Sequence, residues 1–105
     1  MHRGGAAPAR LLNDLQVIRR RAIVRGQVQG VGFRAGTRSQ ARALLLAGFA
    51  RNRADGTVEV EVEGPADRVS QLLAWLESGP RWATVDDVEV SELPPDGRPG
   101  FELRR

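Results

Sequence analysis

Residues 57–63 alternate strictly between apolar and polar side chains, and this alternation limits the fold more than any other feature of the sequence. In a strand, the apolar row Val58, Val60 and Val62 faces one side, and the polar row Thr57, Glu59, Glu61 and Glu63 faces the other. An antiparallel sheet commonly buries one face and leaves the other in water. We interpret the glutamates as a solvated sheet face, because alternate carboxylates on one strand diverge from a single metal ion.

The rest of the chain supplies two helices and further strands around this one. The predicted elements are a strand over 22–28, a helix over 33–47, a strand over 49–52, the alternating strand, a helix from Pro65 to Gly79, a strand over 85–90, and a closing strand with Phe101 and Leu103. This order is typical of the ferredoxin-like βαββαβ sandwich, an α+β fold. We predict a four-stranded antiparallel sheet with both helices on one face and a short extra C-terminal strand.

The length of 105 residues predicts one domain, residues 21–105, after a flexible basic extension, residues 1–20. Helical spacing of Leu11, Leu12, Leu15 and Ile18 also allows a short helix in that extension. The chain contains no cysteine, and its one histidine is His2, so we expect neither a metal nor another cofactor. No apolar stretch approaches the roughly 18 residues of a membrane span. We therefore expect a cytoplasmic monomer that binds neither membrane nor nucleic acid.

The segment G-Q-V-Q-G-V-G-F-R, from Gly26 to Arg34, connects the first strand to the first helix. Its backbone N–H groups and the positive end of the helix dipole can converge on an anion. Gly30 and Gly32 allow the main chain to approach that anion closely. The planar guanidinium of Arg34 matches two phosphate oxygens. These residues predict a phosphate or carboxylate site, although a tight turn beside a surface arginine would use the same residues. Neither a Walker A motif nor the G-x-G-x-x-G dinucleotide motif is present.

The same segment resembles the signature of the acylphosphatase family. A second block, G-F-A-R-N from Gly48 to Asn52, followed by Asp55-Gly56, is also similar to that family, and the resemblance extends over about residues 20–105. It implies a metal-independent enzyme that hydrolyses the carboxyl–phosphate bond of a small acyl phosphate.

The resemblance also implies a role for each matching residue. Arg34 corresponds to the arginine that binds the substrate phosphate, and Asn52 corresponds to the asparagine that positions the attacking water. The phosphate-wrapping loop corresponds to Gln29, Gly30, Val31, Gly32 and Phe33. Thr37 corresponds to a hydroxyl-bearing helix residue that supports the site.

Four positions depart from the family pattern: Leu45 replaces a common glycine, Phe49 and Ala50 replace a usual tryptophan and valine, and Arg53 stands where a small or apolar residue is common. A left-handed backbone at Leu45 would cost on the order of 1 kcal/mol, unless the first helix runs on toward Gly48. We interpret Trp75 and Trp82 as packing residues and assign neither to the site.

Two other functions are compatible with the predicted fold. RNA-recognition domains share the βαββαβ order, but here the glutamate row would repel phosphate and the first strand offers no aromatic side chain for base stacking. The second alternative is an accessory domain that handles carbamoyl phosphate within a larger carbamoyltransferase. Such domains normally precede others on one chain, whereas this sequence ends at Arg105, so we favour an independent enzyme.

Overall fold

A computed structural model of the protein describes residues 15–105. Their elements are β1 (Val17–Gln27), α1 (Phe33–Ala43), β2 (Ala47–Asn52), β3 (Val58–Pro65), α2 (Ala66–Leu76), β4 (Thr84–Leu93) and β5 (Phe101–Arg104). The strands form one sheet in the order β4-β1-β3-β2-β5. The ferredoxin-like α+β prediction is confirmed, but the sheet has five strands instead of four, because β5 pairs in parallel with β2 at one edge.

The first strand begins earlier than the sequence indicated. It starts at Val17 instead of Ala22, so Val17 to Arg20 of the predicted extension pair with β3. Residues 1–14 lie outside the described residues, and so do Leu11 and Leu12 of the predicted short helix.

The valine row of β3 lies at the centre of the core. Val58, Val60 and Val62 are fully buried, as the alternation predicts. Both helices pack on this face of the sheet. Their contribution to the core is Phe33, Thr37 and Ala41 from α1 and Val69, Leu72 and Leu76 from α2.

The glutamate row lies on the opposite, helix-free face, but it is not simply solvated. Glu59 is only 4% exposed because Arg51 of β2 donates a hydrogen bond to it and Arg21 of β1 lies against it. Arg21 Nε is 2.9 Å from Glu59 Oε2 without hydrogen-bond geometry, so this second contact is ionic only. Arg19 of β1 also forms a hydrogen-bonded ion pair with Glu61 of β3. Interpreting the whole row as solvated was wrong at Glu59, because arginines of the neighbouring strands cover it.

The first helix ends at Ala43 and does not run on toward Gly48, so that part of the prediction was wrong. Leu45 takes the left-handed conformation, with φ 58°, and its side chain is 77% exposed. The N–H groups of Leu45 and Leu46 donate to the carbonyls of Arg42 and Ala41, at 3.1 and 2.8 Å. These are the two bonds of a Schellman motif, which reverses the chain so that Leu46 can enter the core.

The two tryptophans have different environments. Trp75 packs against Phe33, with the ring centroids 5.9 Å apart, as expected for a packing residue. Trp82 is 72% exposed, and the guanidinium of Arg81 lies 5.1 Å from its ring centroid. The packing interpretation was therefore wrong for Trp82, which lies in the turn before the edge strand β4.

Candidate active site

The loop between β1 and α1 has an open anion-binding geometry. Gly30 and Gly32 have φ values of 75° and 78°, which an L side chain rarely adopts. A Cβ at either glycine would meet no other atom of the described chain within 4 Å, so backbone conformation, not crowding, requires glycine there. The space beside the loop is open to a ligand.

The N-terminus of α1 begins at this loop and carries an uncompensated positive field. Gly32 is the N-cap residue, no side chain caps the helix, and its first turn contains no acidic residue. The first N–H groups of a helix have no partner within the helix, and the dipole makes this end partly positive. An anion beside Gly32 would satisfy both the N–H groups and the field.

Arg34 lies in the first turn of α1 and is half-buried. Its Nη1 donates a hydrogen bond of 2.8 Å to the main-chain carbonyl of Arg104 in β5. Within residues 15–105, no carboxylate forms a salt bridge with Arg34, whereas Arg19, Arg21 and Arg51 are all paired. The positive charge of Arg34 is therefore oriented by a neutral carbonyl and remains unneutralised.

Asn52 meets Arg34 across a small cavity. Asn52 is the last residue of β2, and the alternation of the strand puts it on the helix side of the sheet with buried Ala50. The cavity has a volume of about 160 Å³ and is lined by Val28, Gly30, Gly32, Phe33, Arg34, Ala35, Asn52 and Leu103. Since a water molecule occupies about 30 Å³ of liquid, this volume is large enough for a phosphate group.

Gln29 does not line the cavity but ties its loop to the hairpin after Asn52. Its Nε2 donates to the carbonyl oxygens of Arg53, at 2.8 Å, and Thr57, at 2.9 Å. Thr57 is held in turn by Asp55, whose Oδ1 accepts from both the hydroxyl and the main-chain N–H of Thr57. The hydroxyl hydrogen bond, followed by the N–H bond, lowers the pKa of Asp55. These contacts set the distance between the glycine loop and Asn52.

The predicted site residues fall into two groups. Five of them line the cavity together: Gly30, Gly32, Phe33, Arg34 and Asn52. The other three are Gln29, Val31 and Thr37, which are absent from its lining. Val31 is half-buried against the core, and Thr37 is fully buried with its hydroxyl donating to the Phe33 carbonyl at 2.8 Å. Thr37 therefore stabilises the first turn of α1 from within.

Sequence reasoning missed the contribution of β5. Leu103 lines the cavity, and the carbonyl of Arg104 holds Arg34. The alternation of Phe101 and Leu103 predicts that Leu103 faces inward, which was the available signal. The carbonyl of Arg104 has no sequence signal, because every residue carries one.

A larger cleft of about 960 Å³ opens around the β2–β5 edge, reaching onto the helix-free face, and is bordered by the connection between β4 and β5. Most of its charges are already paired: Arg19 with Glu61, Arg51 with Glu59, and Arg104 with Glu102. Size alone would favour this cleft, but its ion pairs leave little net charge to select a ligand. We therefore take the smaller cavity, with its unpaired arginine, as the candidate active site.

Within residues 15–105, neither helix is long and apolar enough to cross a membrane. The same residues contain no group of three or more His, Cys, Asp or Glu side chains placed to hold a metal ion. The polar groups that line the cavity are main-chain amides, the guanidinium of Arg34 and the carboxamide of Asn52.

Comparison with known proteins relates this geometry to one family. The model of the family Acylphosphatase matches residues 20–103. An acylphosphatase of Pseudomonas paraeruginosa is 54% identical over 84 residues, which is 80% of this chain and 92% of that protein. The crystal structure of acylphosphatase from Bacillus subtilis superimposes with a TM-score of 0.81 at 35% identity, covering 84% of this chain and 99% of the other.

The same fold also occurs inside a much larger protein. Full-length HypF, solved in a phosphate- and nucleotide-bound form, matches 96% of this chain with a TM-score of 0.80 and 25% identity. The match covers only 12% of HypF.

Proposed function

This chain belongs to the acylphosphatase family, and from that premise we propose that Arg34 and Asn52 carry out the hydrolysis of an acyl phosphate in the cavity beside α1. The reaction breaks the carboxyl–phosphate bond and yields a carboxylate and inorganic phosphate. One observation carries the assignment of these residues: both residues line one cavity, large enough for a phosphate group, at the N-terminus of a helix that has no side-chain cap among the described residues.

The phosphate group would bind to the glycine loop and to Arg34. The N–H groups near Gly30 and Gly32 and the free guanidinium nitrogens of Arg34 would face the phosphate oxygens, where negative charge is shared during phosphoryl transfer. The hydrogen bond to Arg104 occupies Nη1 alone, so Arg34 keeps further donors for the substrate.

Asn52 would position the attacking water. Its carboxamide oxygen can accept a hydrogen bond from water without placing a second negative charge beside the phosphate. The water oxygen attacks phosphorus while the bond to the carboxylate oxygen breaks, and the proton passes to solvent or to a phosphate oxygen. A carboxylate leaves readily without protonation, so the reaction needs no general acid and depends mainly on positioning and charge.

The proposal also covers the location, oligomeric state and cofactor requirement of the enzyme. We propose that it acts on a small-molecule acyl phosphate in the cytoplasm as a monomer, without a metal ion and without nucleic acid. The ion pairs between the β3 glutamates and arginines of the neighbouring strands support the last point, since they leave the helix-free face little net positive charge to attract a phosphate backbone.

Hydrolysis of benzoyl phosphate without added metal tests the proposal. Arg34→Ala should raise KM and lower kcat, whereas Asn52→Ala should mainly lower kcat. Losses of activity on the order of 10²-fold to 10³-fold are expected for such groups. Arg38→Ala is the matched control, because Arg38 lies one turn further along α1 and does not line the cavity. Full turnover in either site variant, or turnover that disappears with EDTA, would contradict the proposal.

A further inference from the structure

We propose that Phe49 is a positioning residue for catalysis: its ring holds the Arg104 side chain on the helix-free face and thereby fixes the carbonyl that orients Arg34. This inference rests on the proposed role of Arg34 in binding phosphate. Phe49 does not line the cavity, so any effect on the substrate is indirect, and the inferred route is the main chain of β5.

The carbonyl that holds Arg34 belongs to a weakly anchored strand. β5 contains four residues and lies at the edge of the sheet, where β2 is its only neighbour among the strands of residues 15–105. Its register pairs Gly48 with Phe101 and Arg51 with Arg104. A short edge strand has hydrogen bonds on one side only, so side-chain contacts contribute much of what keeps its end in place.

The Arg104 side chain supplies such a contact. Its guanidinium carbon lies 4.0 Å from the centroid of the Phe49 ring, well inside the roughly 6 Å range of a cation–π interaction. Glu102 Oε1 accepts a hydrogen bond of 2.8 Å from Arg104 Nε and lies 2.7 Å from Nη2, so this carboxylate also restrains the guanidinium. Phe49 is only 8% exposed, so its own position is well defined.

The two faces of the sheet are connected through Arg104. Its side chain lies on the helix-free face against Phe49, while its carbonyl accepts from Arg34 of α1, which covers the other face. Phe49 and Asn52 belong to the same strand. The stack therefore ties the anchor of the phosphate-binding arginine to the strand that carries the water-positioning asparagine.

The test uses two substitutions of Phe49 in the full chain. Phe49→Leu keeps an apolar side chain but removes the aromatic face, and Phe49→Trp keeps that face. Phe49→Leu should raise KM for benzoyl phosphate and the inhibition constant of inorganic phosphate roughly threefold to tenfold. Phe49→Trp should return both constants to within about twofold of the parent.

A double-mutant cycle identifies the route of the effect. If Phe49 acts through Arg34, Phe49→Leu should not change the phosphate inhibition constant further in an Arg34→Ala background. An equal increase in both backgrounds, or no increase in the parent, would overturn the inference. If Arg34→Ala itself leaves turnover and phosphate inhibition unchanged, the proposed function fails instead.

Stability measurements separate positioning from a general loss of packing. Ile23→Ala is the control, because Ile23 is 7% exposed on the same face but lies on β1, two strands from β2. It should lower the urea midpoint and leave the phosphate inhibition constant within about twofold of the parent. A similar rise in that constant for Ile23→Ala would assign the effect to loss of packing and would also overturn the inference.

Discussion

The side-chain amide of Gln29 donates a hydrogen bond of 2.9 Å to the main-chain carbonyl of Thr57. The same nitrogen also donates to Arg53 at 2.8 Å, so the glycine loop and the hairpin after Asn52 share one connecting group. The two parts of the candidate site come from distant stretches of sequence, and this amide bridges them directly.

Gln29→Ala tests that bridge. The substitution removes two hydrogen bonds, although the Arg53 carbonyl still accepts from Gly56 N–H and the Thr57 carbonyl from Arg53 N–H. The free energy of unfolding should therefore fall by about 1–2 kcal/mol. KM for benzoyl phosphate should rise as well, because the loop loses its fixed distance from Asn52. Urea unfolding and steady-state kinetics measure the two effects. Gln27→Ala is the control: Gln27 is exposed at the end of β1, and its replacement should change neither quantity appreciably.

Leu45→Gly should stabilise the protein. The left-handed conformation costs a non-glycine residue about 1–2 kcal/mol, and the greater flexibility of glycine in the unfolded chain offsets part of that gain. We expect a net increase of up to about 1 kcal/mol in the free energy of unfolding, measured in urea. The neighbouring change Leu44→Gly is the control, since Leu44 has φ −90° and gains no such relief. A lower urea midpoint for Leu45→Gly would show that the turn is not strained.

Glu59→Gln should destabilise the sheet without affecting catalysis. The change keeps the shape of the side chain but removes the charge that Arg21 and Arg51 share. Because both arginines are partly exposed and can be hydrated, we expect a loss of about 1–3 kcal/mol, below that of a fully buried pair. Glu89→Gln, at an exposed ion pair with Arg25, should change stability by less than about 0.5 kcal/mol. Equal effects in thermal or urea unfolding would contradict a special role for Glu59.

Asp55 should contribute to a loss of stability in acid. Hydrogen bonds from Thr57 lower the pKa of Asp55 in the folded protein. Its contribution to the free energy of unfolding is therefore fully present above the unfolded pKa, about 3.9 for aspartate, and is lost as the pH falls through the folded pKa. Asp55→Asn should therefore lower stability at pH 7 and matter progressively less below about pH 4. Thr57→Val, which removes the hydroxyl donor, should shift this acid transition to higher pH. Identical pH profiles for the parent and Asp55→Asn in urea unfolding would exclude the effect.

Local patterns predicted most of the secondary structure correctly. The alternation around Val60 determined which face of β3 is buried, because side chains of a strand point to opposite sides whatever the neighbours are. The glycines before Arg34 marked the start of a helix for a similar reason, since a positive φ and a helix N-terminus depend on adjacent residues. These features could be inferred before any contact between distant segments was known.

Errors of sequence reasoning fell where distant segments meet. Nothing near Glu59 in the sequence indicates that arginines of two other strands cover it, and nothing near Leu45 indicates that Leu46 must reach the core. Trp82 was assigned to packing from its residue type, whereas the structure leaves it exposed in the turn before β4.

The sequence by itself determined the order of strands and helices, the buried face of the sheet, and the residue types able to bind phosphate and position water, because each depends on a residue and its near neighbours. Only the tertiary structure decided that Arg34 and Asn52 share one cavity and that Arg34 is anchored on the carbonyl of Arg104. The physical reason is that a main-chain acceptor is the same in every residue, so its role depends on the strand pairing that brings it to the helix.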